Sequence, residues 1–160
     1  MKKIKLISLV LAFSMTAFVD ASIYPIALLD YQIHLGKSGN RHADPTAVLG
    51  NNFHQVSLGE GGWLAVEMAQ NVYDGQGIDL IIEESATGSA ETYEVFVADH
   101  NLAFISVGWF RGNAEIDLKS TGLASINYVY IHDSPADQRQ SAISPGVDII
   151  KIIGLHEHGS

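Results

Sequence analysis

Cysteine is missing from all 160 residues. Its absence excludes a thiol nucleophile, a thiolate zinc site, a cysteine-ligated iron–sulfur cluster and any disulfide. The chain must be held by core packing, with a bound metal as the available supplement. Basic side chains are scarce too, 9 Lys and Arg against 18 Asp and Glu. Nucleic acid needs a basic face to displace counterions, so DNA and RNA are excluded as partners. Adsorption to anionic lipid is disfavoured for the same reason. No Gly-x-Ser-x-Gly elbow, P-loop or His-Glu-x-x-His helix occurs. Beyond residue 21, no segment keeps helical periodicity for three turns.

What is present begins with an export leader. Lys2, Lys3 and Lys5 precede an apolar stretch from Leu6 to Val19, and Val19-Asp20-Ala21 offers small residues where a signal peptidase reads. That 14-residue stretch is well short of the roughly 20 residues needed to span a bilayer. The expectation is a signal peptide over residues 1–21, cleaved after Ala21, and a mature chain with no integral membrane segment. The short lysine-led leader points to the periplasm or exterior of a Gram-negative bacterium. Removing Lys2, Lys3, Lys5 and Asp20 leaves 6 basic and 17 acidic residues, a net of −11 with histidines neutral. Residues 22–160 suffice for one domain, which at this size buries about two-thirds of its unfolded surface.

Strand signals dominate that mature chain. Residues 54–59 and 63–68 are short runs divided by Glu60-Gly61-Gly62, which reads as a hairpin. From Glu91 to Ala98 the chain alternates, with Tyr93, Val95 and Val97 on one face. Asp99-His100-Asn101 then supplies a turn, and Leu102 to Val107 returns. Ser125 to His132 and Val147 to Ile153 close the series. Many short strands between turn signals predict an all-β, two-sheet antiparallel sandwich.

The segment from Asp74 to Glu84 is the most informative stretch. Its glycine-rich turn carries Asp74 and Asp79 and opens into the apolar run Leu80-Ile81-Ile82. Carboxylate and backbone oxygens on a tight loop are what Ca²⁺ requires, while the same letters also serve an ordinary turn. For ligand binding, the aromatic candidates are Trp63, Trp109, Phe110, Tyr128 and Tyr130. Sugar rings stack on aromatics, and their hydroxyls need Asn, Asp, Arg or His. Trp109, Phe110, Arg111 and Asn113 combine both needs beside a strand end, whereas Trp63 is expected in the core. His156 and His158 are the one close histidine pair. On a strand they would share a face toward Zn²⁺ or Cu²⁺, but their position reads as a frayed tail.

Several motifs recur in a familiar order. They are Ala43-Asp44-Pro45-Thr46-Ala47-Val48-Leu49-Gly50, Val56-Ser57-Leu58-Gly59 with Gly61-Gly62, and Asp74-Gly75-Gln76-Gly77-Ile78-Asp79-Leu80. Glu94 to Asp99 with Phe104, Tyr128 to Asp133 and Gly146 to Ile149 continue the series. From about residue 43 to 152 it resembles a β-sandwich domain of bacterial secreted and cell-surface proteins, similar to the galactose-binding-like, or discoidin-like, jelly rolls. The resemblance implies binding of a glycan or a host or cell surface, and often a structural Ca²⁺. In such a fold Asp74, Asp79, Asp44 and Asp148 could converge on the ion, with Glu84 a weaker candidate. Many relatives end in an acidic pair two apart; here Asp148 is followed by Ile150 at the second position, so one such ligand is absent.

Three function classes follow. A secreted, non-catalytic binding module for a glycan or cell-surface ligand leads. A self-associating surface or structural protein is second, and a small polysaccharide-active enzyme on the same scaffold is third.

Overall fold

Alternation of apolar and polar residues builds two antiparallel sheets whose apolar faces meet. The computed structural model describes residues 22–36, 39–85, 90–135 and 145–157; the leader and His158 lie outside them. The strands are β1 (Pro25–Gln32), β2 (Val56–Ser57), β3 (Trp63–Tyr73), β4 (Leu80–Glu84), β5 (Thr92–Ala98), β6 (Ile105–Arg111), β7 (Ala114–Ile116), β8 (Ser125–Asp133) and β9 (Asp148–Gly154). One sheet has the order β1-β3-β8-β5-β6 and the other β2-β9-β4-β7. The described helical structure is two single 3-10 turns, Pro45–Val48 and Leu118–Thr121, each capped by the aspartate before it, Asp44 and Asp117.

The core lies between the sheets. Leu64, Val66, Val95, Val97, Val129 and Ile131 point inward from the five-stranded sheet, and Leu80, Ile82, Ile149 and Ile152 belong to the same cluster from the other. Tyr93 is fully buried among them, with its hydroxyl donating to the Gly112 carbonyl at 2.6 Å. Burial, reinforced by the Glu84 carboxylate, pushes the Tyr93 phenol far above its usual range.

The expected hairpin at residues 54–68 does not form. β2 pairs with β9 in one sheet, and β3 pairs with β1 and β8 in the other. Glu60–Gly62 is therefore a crossover between sheets. Gly59 takes a φ of +75°, and a Cβ there would stand 2.1 Å from the His34 carbonyl oxygen. The return strand at residue 102 also begins later, at Ile105. Asp99 folds the turn instead, accepting the Asn101 amide on its carboxylate and the Leu102 amide on its carbonyl.

Strand alternation leaves a second pattern on the outer face of the five-stranded sheet. The register aligns Asp30, Ala65, Tyr130, Phe96 and Ser106 in one row across five strands, and Gln32, Trp63, His132, Glu94 and Trp109 in the next. Trp63 is thus on the outer face rather than in the core, because Leu64 and Val66 occupy the inward positions of β3.

Candidate functional site

The acidic loop is built around Asp79, whose side chain is fully buried just before β4. Its two carboxylate oxygens accept the Gly75 amide at 2.8 Å and the Leu118 amide at 2.7 Å. The His156 ring lies 3.5 Å from the first of these oxygens and 3.1 Å from the Ile78 carbonyl. His156 therefore closes over the loop, and its backbone carbonyl accepts the Tyr73 amide; the expected frayed tail is ordered at this residue. Asp74, Asp79 and Asp117 each bring a carboxylate oxygen within 4.8 Å of the others. Asp117 was not foreseen, since a cap before a single 3-10 turn leaves no periodic signal. The three fit a hard cation in donor type, with Asp74 and Asp117 exposed. The competing job is visible too: both oxygens of Asp79 already hold amides.

Asp44 and Asp148 do not join this group, which corrects the expectation of four converging aspartates. Asp44 accepts the Thr46 amide and hydroxyl, which hold its carboxyl below the usual range. Asp148 is buried on β9, where it accepts the Ser57 hydroxyl and the Gln55 side-chain amide. Burial raises its pKa, against the pull of those hydrogen bonds. Glu84 is also buried; one carboxylate oxygen accepts the Glu91 amide at 3.1 Å, and the other has no hydrogen-bond partner among the described residues. Burial raises its pKa as well.

The set Trp109, Phe110, Arg111 and Asn113 is not brought to one surface. Consecutive strand residues face opposite ways, so Trp109 is 54% exposed while Phe110 packs toward Tyr93, with ring centroids 6.2 Å apart. Arg111 donates to the Ala90 carbonyl, and Asn113 accepts the Glu84 amide. Two of the four thus support the strand around Glu84, and Trp109 alone presents a ring to solvent.

Two depressions were not foreseen as sites. One, of about 570 Å³, is lined by Arg41, His42, Asp44, Asn52, Phe53, His54 and neighbours. Asn52 fixes its wall by accepting the His54 amide and donating to the Leu49 carbonyl. Phe53 is 82% exposed, with the Lys151 ammonium 3.7 Å from its ring centroid. Gln55 links this wall to Asp148 behind it, its side-chain amide donating to that carboxylate at 3.2 Å. The legible signal was an aromatic flanked by Asn52 and His54 in a stretch without strand alternation. The second depression, about 580 Å³, lies on the outer sheet face among Trp63, Ala65, Phe96, Phe104 and Tyr130.

No family model and no curated protein matches this chain. Solved structures do. CpGH89CBM32-4 from Clostridium perfringens, in complex with glcNAc-alpha-1,4-galactose, is 10% identical with a TM-score of 0.50; the match covers 83% of this chain and 90% of that one. Chitosan-binding module 1 from a chitosanase/glucanase of Paenibacillus sp. IK-5 is 11% identical with a TM-score of 0.50, covering 79% and 94%. SpGH29 is 7% identical with a TM-score of 0.51, covering 82% of this chain, which spans only 27% of that longer protein. These likenesses show the fold, a two-sheet antiparallel β-sandwich.

Proposed function

We propose that this chain is a non-catalytic module that binds a glycan through the depression around Phe53. One observation carries the reading: an aromatic ring 82% exposed beside Arg41, His42, Asp44 and Asn52. A sugar presents an apolar C–H face to such a ring and directs its hydroxyls to planar charged and amide groups. One protein of the same fold is in complex with glcNAc-alpha-1,4-galactose, and another is named a chitosan-binding module. The test is a glycan array followed by calorimetric titration of the best ligand. Phe53→Ala is expected to weaken binding at least tenfold, with Arg41→Ala lowering it further. If Trp109→Ala abolishes binding while Phe53→Ala leaves it intact, the site belongs to the edge strand β6 and this placement is wrong.

Two finer readings accompany it. A Ca²⁺ ion at Asp74, Asp79 and Asp117 would join the β3–β4 loop to the turn at Leu118 and act on stability rather than on the sugar. The chain is also exported after cleavage behind Ala21; the support is the order of lysines, apolar run and small residues, and Ile23 pairing with Gly154 just beyond the cut. Mass spectrometry of exported protein should find Ser22 at the N-terminus, and an intact Met1 there would refute cleavage.

A further inference from the structure

The outer face of the five-stranded sheet carries a feature that the glycan reading does not use. Tyr130 stands at its centre, with ring centroids of Phe96 at 5.2 Å, Trp63 at 5.7 Å and Phe104 at 5.9 Å, tilted at 57°, 50° and 60° to it. His132 stacks near Tyr130 at 6.3 Å. Ala65 pairs with Tyr130 on one side and Asp30 on the other, and its small side chain leaves the floor low. Leu29 and Asp30 border one side, and the turn before β6 brings Leu102 and Phe104 to the other. Leu102 adopts a φ of +58°, a left-handed conformation that costs a leucine about 1–2 kcal/mol and here lies at the cleft wall.

Among the described residues, the charge lining the cleft has one sign. Asp30 lines it, and Glu94 sits two residues before Phe96 on the same outer face, its carboxylate accepting the Ser106 hydroxyl. No Lys or Arg is among the lining residues. Burial followed by the Glu94 charge raises the Tyr130 phenol pKa, so that carboxylate acts directly on the central ring.

We propose that this cleft is a binding site for a small quaternary ammonium group. The negative faces of aromatic rings attract a cation, and the attraction grows as the ion sheds water. A trimethylammonium group is weakly hydrated and clothed in methyls, so it suits an apolar wall, and Asp30 and Glu94 supply opposite charge. The same carboxylates oppose a phosphate or carboxylate attached to the cation, so the ligand is a quaternary ammonium bearing no anionic group, such as choline, rather than a phosphocholine headgroup. They also oppose a second copy of this chain, because a two-fold contact across this face would set Asp30 and Glu94 of both copies against each other.

The experiment is a nuclear magnetic resonance titration of the mature protein at pH 8, following the two indole N–H signals. Choline chloride should shift the Trp63 signal with a millimolar Kd and leave Trp109 unmoved. The neutral isostere 3,3-dimethyl-1-butanol should bind at least tenfold more weakly, and phosphocholine several-fold more weakly. Tyr130→Ala should abolish the shift; Asp30→Asn, on an exposed rim, should weaken it three- to tenfold without altering the melting temperature. Equal binding of choline and its isostere would reduce the cleft to an apolar patch and overturn the proposal. So would tighter binding of phosphocholine, or no choline shift at 100 mM. A neutral sugar moving the Trp63 signal at lower concentration than choline would make the cleft a glycan site instead. A dilution-dependent Trp63 shift without ligand would make it an interface between copies.

Discussion

Buried carboxylates in this chain do structural work at specific atoms. Asp133 resembles Asp79 in this respect: it accepts the Gly61 amide on one oxygen and the Val147 amide on the other, joining the crossover to the start of β9. Removing such an acceptor leaves a buried donor unsatisfied. Asp79→Asn should therefore cost on the order of 2–3 kcal/mol, because an amide nitrogen would face Gly75 or Leu118. Urea denaturation should show a lower midpoint with an unchanged slope, and a loss under about 0.5 kcal/mol would remove Asp79 from the clamp. Glu84 behaves oppositely. Its folded-state pKa is raised, so the folded chain holds a proton that the unfolded chain releases first. Stability attached to this group is complete below the ordinary glutamate value near 4.3 and declines as pH rises toward the folded value. Glu84→Gln should flatten the stability profile across that window relative to wild type. An unchanged profile would show that Glu84 ionises as an exposed acid does.

At the scale of elements, most strands were legible, β1 and β7 excepted, whereas of their pairings only the β5–β6 return was. Tyr93, Val95 and Val97 announce β5 because every second residue goes inward, and Ser125 to His132 announces β8 in the same way. Glu60-Gly61-Gly62 looks like a hairpin turn because local chemistry is identical when a chain doubles back and when it changes sheet. The deciding contact is non-local: a Cβ on Gly146 would stand 2.5 Å from the Gly59 carbonyl carbon, so the two glycines pack backbone to backbone. The candidate site was hidden for a similar reason. Phe53 and Arg41 lie in loops whose convergence no period reveals, and Asp117 reaches Asp79 only after β7 has crossed to β4. A contrast between two glycines tests this account. Gly59→Ala meets both a positive φ and the His34 carbonyl, and should cost about 3 kcal/mol or more. Gly77 has a φ of +100° but nothing within 4 Å of a Cβ, so Gly77→Ala should cost only the backbone term, about 1 kcal/mol. Equal losses would mean that the crossover is not tightly packed.

For the molecule as a whole, acidity and the missing disulfide direct attention to cations. A net of −9 with histidines neutral is self-repulsive, and an ion bound only by the folded state adds about 2.7 kcal/mol at a hundred times its Kd. Calcium at millimolar concentration should raise the melting temperature by several degrees, and EDTA should reverse it. Sodium chloride of equal ionic strength should not reproduce the rise. Asp79→Ala is a poor probe because it breaks the amide clamp with or without metal. Asp74→Asn combined with Asp117→Asn keeps Asp79 and should abolish the response. If wild type melts at one temperature in calcium and in EDTA, the three aspartates are caps and clamps only.

The pairing of Ile23 with Gly154 has a mechanical consequence. Each residue donates its amide to the other's carbonyl at 2.8 Å, so the chain enters and leaves the sandwich side by side. Antiparallel neighbours paired in this way sit about 5.5 Å apart. Tension applied through the two ends would not run along the sheets. It would fall first on the Tyr73–His156 and Leu155–Asp79 bonds at the outgoing end and then on this bridge, opening them like a zipper, after which β9 would peel from β4 and β2 one hydrogen bond at a time. Stretched between two anchors, the folded sandwich would add almost nothing to the length of a tether, hanging beside the line of force as a pendant rather than a link.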